Sequence, residues 1–178
     1  MSYCTFVNNL PLGEPNVHRS YHDTQYGFPI DDDNELFGRL ILEINQAGLS
    51  WTTILNKQEN FRRAYHNFHI DTIAVYTEAD RNRLLNDAGI IRNRLKVNAA
   101  IENARAIQSL QQEFGSFQNW LAHYHPQPLE AWVRLFKKTF KFTGGEIVNE
   151  FLMSTGWLPG AHDPDCPVFL QLSALTKK

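Results

Sequence analysis

Apolar residues in this chain recur at the spacing of a helix and almost nowhere at the alternation of a strand. Leu36, Phe37, Leu40, Ile41 and Ile44 mark one stripe; Leu95, Val97, Ala99, Ala100, Ile101, Ala104 and Ile107 mark a longer one. The pattern predicts helices over about 33–47, 52–68, 70–76, 78–88, 93–113, 116–123, 129–138 and 144–155. Asp33 is the expected N-cap of the first, and Thr77 with Asp80 reads as a capping box. Pro11, Gly13, Pro15, Gly27 and Pro29 break residues 1–32, so that segment is expected to be irregular. The tail after Pro159 reads the same way, with one short turn near 168–174. No repeat or low-complexity linker is visible. The expected fold is all-α: one compact domain over 1–178, with irregular N- and C-terminal segments.

Composition narrows the classes. With 178 residues, 43% hydrophobic and 12% aromatic, the chain can build a sizeable core. Lys+Arg 17 against Asp+Glu 19 leaves a formal charge of −2, so no strong basic field announces a nucleic acid. Binding through backbone amides stays open. No apolar run is long enough to span a membrane, and Met1-Ser2-Tyr3-Cys4 does not read as a signal peptide. Two cysteines supply no disulfide framework. The expected compartment is the cytoplasm, with no membrane association.

The densest chemistry lies in Leu42-Glu43-Ile44-Asn45-Gln46-Ala47-Gly48-Leu49-Ser50-Trp51. A carboxylate, two amides and an indole fall around the end of an apolar helix, which Gly48 can close in a left-handed conformation. Burying Glu43 is costly unless a charged or hydrogen-bonding group meets it. Two readings are open: the group grips a flat, donor-rich, cationic ring, or Glu43 turns to solvent or caps a neighbouring helix. A second stretch, Leu84 to Arg94, joins two helices through a very short connection at Gly89. The free amides of the following first turn, with Arg92, Arg94 and Lys96 beside them, suit a phosphate. The other reading is an ordinary helical hairpin with solvated arginines.

His162-x-x-x-Cys166 has metal-ligand spacing, and Cys4 with His22 can complete a Cys₂His₂ set; His18 rivals His22. Unrelated thiols and surface histidines remain the alternative. His123-Tyr124-His125 reads as a solvated loop, and Trp120, Trp132 and Trp157 as core. Lys137, Lys138 and Lys141 read as a solvated basic face or as phosphate contacts.

Taken together the motifs resemble the type I 3-methyladenine DNA glycosylase family. They are Cys4, Tyr21-His22-Asp23, Leu42-Glu43, Gln46-Ala47-Gly48-Leu49-Ser50-Trp51, Asp87-Ala88-Gly89-Ile90-Ile91-Arg92, Asn103-Ala104-Arg105-Ala106, Phe140-Lys141-Phe142 and His162-x-x-x-Cys166. The resemblance spans nearly the whole chain. It implies a helix–hairpin–helix fold that flips alkylated adenine from duplex DNA and hydrolyses its N-glycosidic bond. The products it implies are an abasic site and free 3-methyladenine, with no obligate protein partner. It implies that Glu43 is catalytic and binds the base with Tyr21 and Trp51, and that Leu49, Gly89, Ile91, Arg92 and Arg94 touch DNA. It assigns Cys4, His22, His162 and Cys166 to a structural zinc that joins the two ends of the chain.

The sequence departs from the family pattern at four places. Phe6 and Tyr26 stand where tryptophan is usual, and both are expected to line a base pocket. Leu95 replaces a glycine, and Asn45 a glutamine. These changes leave the reaction class alone and open the range of damaged bases. The alternative function is a non-catalytic module that binds damaged DNA on the same scaffold.

Overall fold

The computed structural model describes residues 1–13 and 15–175. Among them every regular element is helical, and none is long and apolar enough to cross a membrane. The chain divides into two compact units, one of residues 1–29 with 152–178 and one of residues 30–151.

The second unit holds α3 (Asp33–Gln46), α4 (Trp51–Ala64), α5 (Ile70–Ala74), α6 (Glu78–Leu85), α7 (Arg94–Phe114), α8 (Phe117–Tyr124), α9 (Leu129–Thr139) and most of α10 (Gly145–Ser154). Its frame is α7, which packs most extensively on α5 and also meets α3, α6 and α8. Val97, Ala100, Ile101, Ala104 and Ile107 bury the face of α7 that the sequence pattern marks. A second apolar group stacks Phe117, Trp120, Phe136, Phe140 and Phe151 at ring separations of 5.3–6.0 Å. Trp132 joins this core through Phe136, whereas Trp157 is only half-buried.

In α3 burial is continuous from Leu36 to Asn45. A helix enclosed on all sides must satisfy its polar groups internally. Its N-cap is Asp32, whose side chain accepts from the Glu35 N–H, rather than Asp33. Asp33 instead accepts from Gln111 Nε2 at 2.8 Å, Phe117 N at 2.9 Å and Gln118 N at 3.3 Å. Its carboxylate therefore meets the first turn of α8, where the helix dipole favours negative charge.

Two further expectations need correction. The helix expected over 52–68 ends at Ala64, and His66, Asn67 and Phe68 follow with φ of 50°, 55° and 58°. Phe68 folds back so closely on Gly38 that a Cβ there would lie 2.4 Å from its ring. The capping box of Thr77 and Asp80 is present as expected.

The first unit is not irregular at its ends. It contains α1 (Tyr3–Asn8), α2 (Val17–Thr24) and α11 (Pro167–Leu175). Ser2 caps α1 and Asn16 caps α2, each side chain accepting first-turn N–H groups. The breakers Pro11, Gly13 and Pro15 fall between these two short helices, where they end one and space the next.

Replacing Asp33 with alanine removes three acceptor contacts and the charge at the start of α8. The expected loss is roughly 1–3 kcal/mol, read as a lower thermal midpoint; an unchanged midpoint contradicts this role.

Candidate functional site

Glu43 is 4% exposed, in the last turn and a half of α3. The solvated reading of this carboxylate is thereby excluded. Asn45 is 1% exposed; its Nδ2 donates to Ile41 O at 2.8 Å, and its Oδ1 finds no partner among the described residues. Ala47 is the C-cap, and Gly48 reverses the chain with φ of 80°. The turn closes on itself: Leu49 N donates to Gln46 O at 2.8 Å, and Gln46 Nε2 donates to Leu49 O at 3.0 Å. Ser50 then caps α4, so that Trp51 is its first residue. Leu49 is 38% exposed at the tip. A buried carboxylate and a part-exposed indole thus flank one tight turn.

The hairpin between α6 and α7 is held by polar contacts. Gly89 N donates to Asp87 Oδ1 at 2.7 Å, and Gly89 O accepts from Asn60 Nδ2 at 3.1 Å. Asn93 caps α7 by accepting from Lys96 N. Ile91 is half-buried and Arg92 exposed, while Arg94 is exposed and paired with Glu78 at 2.8 Å. Lys96, read from the sequence as part of this basic spot, is turned inward and 5% exposed. A second hairpin, between α9 and α10, lines an open depression of about 490 Å³ with Lys137, Phe140, Lys141, Phe142, Thr143, Gly144 and Ile147. Asn103 of α7 holds it by a reciprocal pair, donating to Lys141 O at 3.1 Å and accepting from Lys141 N at 2.7 Å.

In the first unit Cys4, His22, His162 and Cys166 are buried together, their ligand atoms all within 4.8 Å of one another. His22 Nε2 lies 3.3 Å from Cys4 Sγ and 3.8 Å from Cys166 Sγ; His162 Nδ1 lies 3.5 and 3.8 Å from the same sulfurs. The two ring nitrogens are 3.2 Å apart. The opposite ring nitrogens are also engaged, His22 Nδ1 by Asp23 Oδ1 at 2.6 Å and His162 Nε2 by Tyr26 O at 2.7 Å. Such outer contacts fix the tautomer that aims the free nitrogen at a metal. Burial lowers the pKa of His162 and keeps its ring neutral. Burial also pushes the Cys4 thiol up to about 11, against the lowering effect of the Asp163 N–H. A divalent cation reverses that cost by binding thiolate, so the donor set suits a metal ion. His18 stands outside the cluster, its Nδ1 3.0 Å from Tyr3 OH.

Around this cluster lies an aromatic group. Tyr3 is 5.3 Å from Tyr26 and 6.4 Å from Tyr21, and it stacks on Phe6 at 6.1 Å. Tyr21 and Tyr26 are buried, whereas Phe6 is 39% exposed. Tyr26 also sets its ring edge against His162 at 5.6 Å.

Residues 12–134 match the model of the methyladenine glycosylase family. The chain belongs to that family. A DNA-3-methyladenine glycosylase 1 of Escherichia coli is 35% identical, covering 88% of this chain and 91% of the relative. A DNA-3-methyladenine glycosylase of Haemophilus influenzae is 33% identical, over 88% and 94%. Among solved structures, a single-residue variant of 3-methyladenine DNA glycosylase I in complex with 3-methyladenine superposes with a TM-score of 0.81. The two are 30% identical, over 94% of this chain and 97% of that one.

In this methyladenine glycosylase family member Asp23 and Lys96 make contacts that the sequence reading does not assign to them, Lys96 being read as part of the phosphate-binding spot. Asp23 was visible only as part of a motif, because its bond to His22 depends on which nitrogen faces the cluster. Lys96 had a signal: it adjoins Val97 and precedes Ala100 on the buried stripe of α7, a position that marks a lysine as interior.

Gly27 has φ of 80°, and a Cβ on it would lie 2.9 Å from Ala161 Cβ and 3.3 Å from His162 Nε2. Gly27→Ala therefore strains the backbone and pushes on His162 of the buried Cys/His cluster. The variant is expected to lose roughly 1–3 kcal/mol of stability; a wild-type thermal midpoint sinks the assignment.

Proposed function

We propose that this protein is a monofunctional DNA-3-methyladenine glycosylase of base-excision repair, acting on alkylated double-stranded DNA. The observation that carries the reading is the buried Glu43 carboxylate beside the turn to Trp51, within a chain of this family. Alkylation at N3 leaves adenine positively charged and makes it a good leaving group. Water attacks the sugar C1′, the C1′–N9 bond breaks with its electron pair going to the base, and neutral 3-methyladenine departs. One proton is released to solvent, and the DNA keeps an abasic site. An enzyme for so activated a bond works mainly by holding the base and complementing its charge.

Glu43 accepts hydrogen bonds from the edge of the flipped base and stabilises its positive charge. The Trp51 indole stacks on the cationic ring. Tyr21 is assigned to the base by the family motif, with Phe6 and Tyr26 as further aromatic contacts. Leu49, exposed at the tip of its turn, fills the vacated stack. Gly89, Ile91, Arg92 and Arg94 form the helix–hairpin–helix contact to phosphate, supported by the exposed guanidinium of Arg92. The lysine that reaches the end of α3, Lys96, has its ammonium engaged by two carbonyls, which supports hydrolysis over Schiff-base chemistry. The compartment we assign is the cytoplasm, on the ground that the substrate is DNA.

The buried Cys₂His₂ cluster is assigned to zinc. A tetrahedral zinc, with Zn–S of about 2.3 Å and Zn–N of about 2.0 Å, requires ligand edges of about 3.3–3.8 Å. The observed N···N and N···S distances run from 3.2 to 3.8 Å. Four protein ligands leave no position for water, so the metal is structural: it ties α1 and α2 to the segment leading into α11.

Wild-type protein is expected to release free 3-methyladenine from methylated duplex, resolved by chromatography. Glu43→Gln, folded by circular dichroism, is expected to lose about a hundredfold or more in single-turnover rate. Tight binding of abasic duplex without any base release would instead support the non-catalytic reading. Elemental analysis is expected to give one zinc per chain, and Cys4→Ser to abolish it with a large drop in thermal midpoint. Metal-free wild type of undiminished stability contradicts the zinc assignment.

A further inference from the structure

Lys96 is the one buried lysine among the described residues, and no part of the excision chemistry uses it. Its ammonium donates to Asn45 O at 2.9 Å and to Ala47 O at 2.8 Å. Those carbonyls lie in the last turn and cap of α3, where the helix has no further N–H groups to offer. A cation is also the favoured charge at a helix C-terminus. On its other side the ammonium stands 5.9 Å from the centre of the Phe142 ring, in the hairpin that Asn103 fastens to α7. Phe142 holds φ of 61°, a conformation uncommon outside glycine, and it carries that ring toward the lysine.

Holding an ammonium inside a protein is costly, and a leucine or methionine fills similar space without that cost. The geometry explains what the charge does instead. Both carbonyls follow Glu43 within four residues, and they bracket Gln46, whose backbone and side chain close the turn to Leu49. We propose that Lys96 is a positioning residue for base excision: its ammonium fixes the end of α3 and thereby the Ala47–Ser50 turn that relates Glu43 to Trp51. The proposal rests on the glycosylase reading. Lys96 acts through the two carbonyls and not on the base itself. Without the clamp the turn loosens while the core beneath it remains, so the chemical step suffers more than DNA binding.

The test compares wild type with Lys96→Met and Lys96→Arg well below their thermal midpoints, using single-turnover release from methylated duplex, affinity for abasic duplex, and amide hydrogen exchange. Lys96→Met is expected to slow release by about tenfold or more, since small misplacements of reacting groups carry penalties of that order. Its affinity for abasic duplex is expected to stay within about threefold. Exchange in residues 46–51 is expected to quicken while α5 and α9 keep their protection, and Lys96→Arg is expected to recover part of the rate. Release at the wild-type rate, or unchanged exchange in 46–51, overturns the proposal. An equal loss in Lys96→Met and Lys96→Arg, with exchange raised throughout the chain, also overturns it, because that is the signature of a residue that only stabilises. If Lys96→Met does not fold, Lys96→Gln keeps a donor and the same outcomes apply to it. If the wild type releases no base, the glycosylase reading falls while the exchange measurement still judges the clamp.

Discussion

A helix that ends inside a protein leaves carbonyls that water cannot reach. This constraint governs α3 up to Asn45, beyond which Gln46 and Ala47 are half-buried and Gly48 to Ser50 exposed. The helix is enclosed from Leu36 to Asn45, and it carries a carboxylate in its last turns. Continuing it would carry Trp51 round the same axis; ending it requires partners for the last carbonyls. Gly48 supplies the reversal, Gln46 closes the loop, and Lys96 arrives from α7 to take two carbonyls. The location of α7 therefore matters beyond its apolar face. One helix buries Val97, Ala100 and Ile101, caps the end of α3, and through Asn103 anchors the α9–α10 hairpin.

The buried cluster of Cys4, His22, His162 and Cys166, proposed to hold zinc, addresses a different problem in the first unit. α1 and α2 are short, of six and eight residues, and such helices are marginal alone. Beside the two cysteines the apolar packing is Val168 with Phe28 and Leu172, and the rings of Tyr3 and Tyr26 lie against the two histidines. A metal ion held by these four potential ligand atoms, which come from distant parts of the chain, would add a further tie to that packing. The tautomers are set in advance by Asp23 and by the Tyr26 carbonyl.

Much of this was legible in the sequence where one residue type has one physical use. The glycine after Gln46-Ala47 marks a reversal, Thr77 with Asp80 marks a helix start, and the histidines and cysteines that group in space are those the motifs named. What escaped depended on partners far away in the chain. Asp33 sits at a helix start and reads as its cap, yet its carboxylate serves α8, more than eighty residues later. The proline- and glycine-rich N-terminal stretch reads as loop because the breakers are conspicuous; its two helices depend on the modest caps Ser2 and Asn16. Lys96 reads as surface charge because the carbonyls that retain it belong to another helix.

Glu43, buried, and Trp51, half-buried, lie on either side of one tight turn, and the central claim is that this helix end holds the damaged base. Titration of isotopically labelled protein with free 3-methyladenine tests it directly by amide chemical shifts. The account predicts that the largest changes cluster on residues 43–51 in the wild type and vanish in Glu43→Gln. Saturable changes centred elsewhere, such as on the lysine-lined hairpin at 137–147, would contradict it.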